Sequence, residues 1–250
     1  MKIIVSENSA ELGKRASSFA AAKINEAIKQ KGYARIVLST GASQFDTLNE
    51  LIKEDVDWNK VEMFHLDEYV DLPISHPASF RKYLQERFVS KVNLKAAYFV
   101  NGEGNIEKNI LELTNEINKA PIDVGLIGIG ENAHIAFNDP PADFNTQCPY
   151  IVVNLNLACK KQQVGEGWFA TVDDVPKQAI SMSVNKIMSC KCIISCVPDE
   201  RKADAIYSMI TSEVTPDVPA SILKEHEDVY VFIDKGSASK TPDEILANFA

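Results

Sequence analysis

The segment Asp123-Val124-Gly125-Leu126-Ile127-Gly128-Ile129 constrains the fold most, because after Asp123 it carries no polar residue at all. It is too short for a membrane span and lacks the period of an amphipathic helix. Such a run is the mark of a strand buried on both faces. A strand of that kind sits in a mainly parallel sheet with helices packed on either side. Parallel neighbours need crossover connections, so the rest of the chain must supply helices between strands.

The flanking sequence meets that demand. Strands are predicted over Lys2–Val5, Arg35–Ser39, Val61–Leu66, Tyr98–Val100, Ile151–Leu155, Cys192–Val197 and Val229–Ile233. Helical patterns occupy Ser9–Lys31, Phe45–Lys53, Ser79–Phe88, Asn105–Lys119, Lys177–Met188 and Arg201–Ile210, and Gly32 ends the first of them. The alternation predicts one α/β domain over residues 1–250, a Rossmann-like three-layer arrangement with a mainly parallel sheet and helices on both faces. The Pro- and Asp-rich stretch from Asp139 to Pro149 reads as a long loop, a kind more often functional than idle.

Charge narrows the partners. The formal net charge of −9 disfavours nucleic acid and anionic membrane, although a local site can still hold a small anion. No apolar run approaches the roughly 20 residues of a membrane helix, and the N-terminal apolar stretch is too short for a signal peptide. Cys148, Cys159, Cys190, Cys192 and Cys196 are odd in number, which reads as reduced thiols and a cytoplasmic location. Cys190 and Cys192 lack the spacing of a zinc knuckle, and the four histidines are scattered. No metal is therefore expected.

In a sheet of this type ligands bind outside the carboxyl ends of the strands. Three segments place reactive groups there. In Ser39-Thr40-Gly41-Ala42-Ser43 a glycine permits a sharp turn, and hydroxyls and free N–H groups precede a helix. That arrangement suits a phosphate, or equally an ordinary N-cap turn. It is neither a Walker loop nor a dinucleotide fingerprint. In His65-Leu66-Asp67-Glu68-Tyr69 a strand ends in two acids that point in different directions, so one can face a cleft. Such a carboxylate can abstract a proton beside a carbonyl or imine, or it can cap a helix. In Gly128-Ile129-Gly130-Glu131-Asn132-Ala133-His134 and on to Asp139-Pro140, a glycine-containing loop carries histidine and carboxylate. Histidine is the side chain poised for proton transfer near neutrality, and a nearby carboxylate can fix its tautomer. A capping or core histidine is the plainer reading.

Taken together, Thr40-Gly41-Ala42-Ser43, Leu66-Asp67-Glu68-Tyr69-Val70, His76-Pro77 with Ser79, Gly128-Ile129-Gly130-x-Asn132-x-His134 through Pro140, and Val175-Pro176-Lys177-Gln178-Ala179-Ile180 resemble the glucosamine-6-phosphate deaminase family over almost the whole chain. The resemblance implies a Rossmann-like fold shared with 6-phosphogluconolactonases and ribose-phosphate isomerases. It implies conversion of glucosamine 6-phosphate and water to fructose 6-phosphate and ammonia, without cofactor. By the same resemblance Asp67 is the base that carries the C2 proton to C1. His134 opens the sugar ring, Asp139 stands where the family has a glutamate paired with the histidine, and Asn132 stands where members have aspartate or asparagine. Thr40, Gly41, Ala42, Ser43 and Lys202 would hold the phosphate.

This sequence departs from the family at several of these places. Ala42 occupies the second position of a usual Gly-Gly, Ala133 replaces a glycine before the histidine, and Asp139 is one methylene shorter than glutamate. The family's phosphate-binding arginine has no counterpart. Its region reads Lys160-Lys161-Gln162-Gln163, followed by Gly165-Glu166-Gly167-Trp168-Phe169. These changes leave galactosamine 6-phosphate as an alternative substrate. A 6-phosphogluconolactonase would share the fold, but its loop continues after the histidine with Ala-Ser-Leu-Phe-Pro, against Ile135-Ala136-Phe137-Asn138-Asp139 here. A non-catalytic sugar-phosphate sensor would need neither Asp67 nor His134. The expected partner is a small sugar phosphate, with no nucleic acid and no membrane. A homo-oligomer remains open.

Overall fold

The computed structural model describes residues 1–249. Strands β1 (Lys2–Ser6), β2 (Ala34–Leu38), β3 (Val61–His65), β5 (Ala96–Tyr98), β6 (Val124–Ile127), β9 (Cys192–Val197) and β10 (Val229–Asp234) form one seven-stranded sheet. Its order is β1-β10-β9-β6-β2-β3-β5, and every pairing is parallel. From β2 the chain runs outward to β3, whereas from β6 it runs the other way to β9. The connections therefore diverge between β2 and β6, which makes the carboxyl ends of those two strands the expected ligand crevice.

Alternate residues of the same strands enter different cores, which gives the three layers. Ile36, Leu38, Met63 and Leu126 pack with α1 (Ser9–Lys31) and α2 (Phe45–Leu51). Val37, Phe64, Ile127 and Ile193 pack instead with α4 (Ile106–Ile117), α6 (Val184–Met188) and α7 (Ala203–Thr211). Helix α1 is bounded as its sequence demands. The side chain of Asn8 accepts from the N–H of Glu11, and Gly32 takes the left-handed conformation that glycine adopts at low cost. Helix α3 (Phe80–Leu84) starts after the Ser79 cap and widens into a π-turn over Gln85–Val89.

A second sheet was not foreseen from the sequence. β4 (Asp67–Tyr69), β8 (Gln178–Met182) and β7 (Tyr150–Asn154) pair antiparallel in the order β4-β8-β7. The helix expected over Lys177–Met188 is corrected accordingly. Residues 178–182 are strand, and only Val184–Met188 is helical, beginning after the Ser183 cap. Ala179, Ile180, Ser181 and Met182 are all buried, so this central strand shows no alternation to betray it. Helix α5 (Leu157–Gly165) packs on the small sheet through Leu155, Cys159, Phe169 and Tyr69. The stretch from Asp139 to Pro149 is irregular, as expected. All five cysteines are unpaired, and only Cys148 is exposed.

Candidate active site

The crevice at the β2/β6 divergence opens into a cavity of about 310 Å³. It is lined by Thr40, Gly41, Ala42 and Ser43 after β2, by Asp67, by His134 and by Lys202. The segments singled out in the sequence thus converge on one space.

The β2 turn is held open toward the cavity. Gly41 has φ +101°, a conformation costly for a residue with Cβ, and its carbonyl accepts from the Tyr83 hydroxyl at 2.9 Å. Ala42 through Gln44 form a single tight turn. The Gln44 amide donates to Ser43 Oγ and to the Cys196 carbonyl, both at 3.0 Å, tying the turn to β9. Ala42 is not among the left-handed residues, so alanine is accommodated there without backbone strain. Lys202, only 6% exposed, reaches the same cavity from the turn before α7. Among the described residues its ammonium has no hydrogen-bond or ion-pair partner. Burial pulls its pKa below the ordinary lysine value, and the more distant charges of Glu166 and Glu131 offset this only in part. An anion bound beside it would supply the missing counter-charge.

Asp67 begins β4, where the chain leaves the parallel sheet at Leu66 and pairs with Ser181. It is 6% exposed, and among the described residues no donor lies within hydrogen-bond distance of its carboxylate. Burial, reinforced by the neighbouring charge of Glu68, pushes its pKa up to about 8. Glu68 is the opposite case. It is fully buried and accepts from the Ser79 hydroxyl (2.8 Å), the N–H groups of Tyr69, Phe80 and Arg81 (3.0, 3.1 and 2.8 Å), and Arg81 Nε (3.2 Å). One acid faces the cleft unpartnered, and the other clamps β4 to the start of α3.

His134 sits on a loop shaped by tight backbone. Ala133 and Ala136 have φ +63° and +51°, and the N–H of Gly130 donates to the His134 carbonyl at 2.9 Å. A Cβ on Gly130 would stand about 2.1 Å from the imidazole, so only glycine lets the ring lie there. Nδ1 is 2.6 Å from Asn132 Oδ1 and 3.2 Å from Asp139 Oδ1. Two acceptors around Nδ1 assign the proton to it and leave Nε2 for the cavity. The Asn132 amide donates to the same Asp139 oxygen at 3.0 Å. Burial pushes the Asp139 carboxyl up, but the hydrogen bond and charge of His134, with the Asn132 amide, outweigh it and hold it below its ordinary value. The aspartate therefore reaches the histidine despite its shorter side chain. Asn132 and Asp139 stand behind the ring rather than on this cavity, and Asn132 lines a second hollow with Gln162 and Arg201.

Three features of the site escaped the sequence reading. The clamp made by Glu68 is one. Helix α5 is another, docked by a 2.6 Å hydrogen bond from the Tyr69 hydroxyl to Gln163 Oε1. The third is the wall they form: Gln162, Gln163, Glu166 and Trp168, noted in the sequence only as the stretch where the family's arginine is missing, line the cavity. Asn156, whose side chain caps α5 by accepting from the N–H of Cys159 at 2.8 Å, was the available signal. Among the described residues, no group of three or more His, Cys, Asp and Glu side chains is gathered to hold a metal ion, and no helix is long and apolar enough to cross a membrane.

Known proteins share this framework. Residues 7–231 match the family model described as glucosamine-6-phosphate isomerases/6-phosphogluconolactonase. A glucosamine-6-phosphate deaminase of Clostridium botulinum is 36% identical over 247 residues, covering 96% of each chain. The solved structure of a monomeric glucosamine-6-phosphate deaminase superposes with a TM-score of 0.87 at 29% identity, covering 96% of this chain and 100% of that one. A 6-phosphogluconolactonase from Thermotoga maritima superposes at 0.76 with 15% identity, over 94% of this chain and 99% of that one, a likeness of fold alone.

Proposed function

The chain belongs to the glucosamine-6-phosphate isomerase/6-phosphogluconolactonase family, and from that membership together with the cavity we propose that it is a glucosamine-6-phosphate deaminase, converting glucosamine 6-phosphate and water to fructose 6-phosphate and ammonia. The observation that carries the reading is the convergence in one cavity of an unpartnered carboxyl, an anchored imidazole and a turn with a free lysine.

Each group has work that its environment suits. The phosphate dianion binds the N–H and hydroxyl groups of Thr40–Ser43 and neutralises the Lys202 ammonium. This fixes C1 and C2 near Asp67, and such positioning contributes up to about 7 kcal/mol or more to lowering a barrier. His134, with Nδ1 held by Asn132 and Asp139, takes the proton of the C1 hydroxyl on Nε2 and delivers it to the ring oxygen as the C1–O bond to the ring breaks. The resulting open chain has a C2 proton acidified by the adjacent aldehyde. Asp67, ionised, removes that proton and returns it to C1 on the same face. The amino group then stands on C2 as an imine, which water hydrolyses to the ketone and ammonia. Nothing is oxidised or reduced overall, so the chemistry requires no cofactor. The same proton inventory serves a lactonase less well, because lactone hydrolysis has no use for a second buried carboxyl beside C2. A cytoplasmic location, with a single small sugar phosphate as partner, fits the unpaired cysteines and the acidic surface.

The test is ammonia release from glucosamine 6-phosphate, galactosamine 6-phosphate and N-acetylglucosamine 6-phosphate, beside hydrolysis of 6-phosphogluconolactone. Ammonia from the first at the highest kcat/KM is expected. Lactone hydrolysis without ammonia release would overturn the reading.

A further inference from the structure

The wall of α5 contains an acid for which the reaction above has no role. Glu166 lines the cavity from the C-terminal end of the helix. Each of its oxygens is held by one neutral donor, Oε1 by the Gln162 amide at 2.7 Å and Oε2 by the Trp168 indole N–H at 3.2 Å. The Gln162 amide is itself turned by the Glu131 N–H, which donates to its oxygen at 3.4 Å. The carboxylate is therefore built into place and not a stray surface charge. Among the described residues no lysine, arginine or histidine nitrogen lies within ion-pair distance of it. Arg201, which lines the same cavity, is engaged with Asp199 at 3.0 Å.

Such a carboxylate, half-buried and unpaired, discriminates between ligands by charge. A neutral hexose phosphate entering the cavity would place its dianion in the same enclosed space as Glu166, with no positive charge of its own to set against that acid. An amino-sugar phosphate brings an ammonium on C2. The dianion is common to both ligands, so the preference comes from the ion pair that only the second can make with Glu166. Glu166 lines the same cavity as Asp67, Lys202 and the Thr40–Ser43 turn. It thus lies within reach of the span that a phosphate-anchored sugar would occupy.

Resting on the deaminase reading, we propose that Glu166 is the specificity-determining residue of this site, pairing with the substrate's C2 ammonium and so selecting amino-sugar phosphates over neutral and N-acylated ones. The neutral donors Gln162 and Trp168 orient it without quenching its charge. A lysine or arginine in their place would have spent that charge on the protein itself.

The experiment uses two unreactive open-chain ligands, 2-amino-2-deoxyglucitol 6-phosphate and glucitol 6-phosphate, titrated calorimetrically into the full chain at pH 7. The unaltered protein is expected to prefer the amino ligand by about 10- to 100-fold, the scale of a charge-assisted hydrogen bond. Glu166→Gln should lose at least about 10-fold of that preference while its affinity for glucitol 6-phosphate stays level or rises. Glu166→Asp, which withdraws the carboxylate by one methylene, should lose a smaller part and serves if the first variant does not fold. Full preference retained in either folded variant overturns the proposal. The deaminase reading is judged separately, by ammonia release from the unaltered protein. An active deaminase whose Glu166 variants keep the preference sinks this inference alone.

Discussion

Replacing Asp67 by asparagine should sharply lower turnover and strengthen the fold, the latter by an amount that depends on pH. Burial, and then the charge of Glu68, push the carboxyl up to about 8 from an ordinary 3.8. At about 1.36 kcal/mol per pH unit, that interval corresponds to about 6 kcal/mol as an upper bound. Water in the cavity reduces the penalty, and about 2–3 kcal/mol is the working expectation. The sign follows from linkage. The folded chain holds a proton that the unfolded chain gives up above pH 3.8, so the stability it confers is complete below that value and is lost as pH rises toward 8. Asparagine never ionises and escapes the loss. Urea unfolding at pH 5, 7 and 9 should therefore show the variant ahead by a margin that widens with pH and levels off above about 8. Its kcat should meanwhile fall by about 100-fold or more, the scale for losing a general base. A margin that does not change with pH, or a parent more stable at pH 9, would refute the assignment of Asp67 as a buried, unsolvated base.

Four further outcomes are expected. Lys202→Ala should raise KM for glucosamine 6-phosphate by about 10- to 100-fold, the worth of one charge-assisted contact, and leave any weak reaction of free glucosamine unchanged; steady-state kinetics on both sugars decides it. His134→Gln should process an open-chain analogue with a smaller defect than the cyclic sugar, and equal defects would remove it from ring opening. Asp139→Glu should lower kcat by about 10-fold, a modest share of a general acid–base contribution, because the aspartate already reaches His134 at 3.2 Å and a longer side chain would have to displace that contact; undiminished activity would contradict the fit. Glu68→Gln should destabilise the fold by about 3 kcal/mol in urea, since it leaves Arg81 facing a broken buried pair.

How much of this was legible can be argued from single segments. The helix over Ser9–Lys31 and the strand around Val124–Ile127 announce themselves, one by its Gly32 stop and the other by an unbroken apolar run. His134 and Asp139 lie on one loop, so their meeting across a turn could be anticipated, as could Thr40–Ser43 at a strand end. Residues 178–182 could not be placed, because a strand buried on both faces has a pattern that a helix can also carry. Helix α5 stayed hidden because its inward positions are Cys159 and the polar Gln163, which no apolar stripe would flag. The role of Glu68 depends on donors from Ser79 to Arg81, more than ten residues away, and no local rule links them. Tertiary pairing supplied what local pattern lacked in each case.

The chain's departure from the parallel sheet at Leu66 divides the labour of the enzyme between two scaffolds. The turn after β2, Lys202 and the loop that carries His134 after β6 all hang from the large sheet, whereas Asp67, Glu68 and the seat of α5 belong to the small one. A shift of the small sheet would therefore carry Asp67 and the α5 wall together relative to the Thr40–Ser43 turn and His134, changing the width of the cavity without remaking either half.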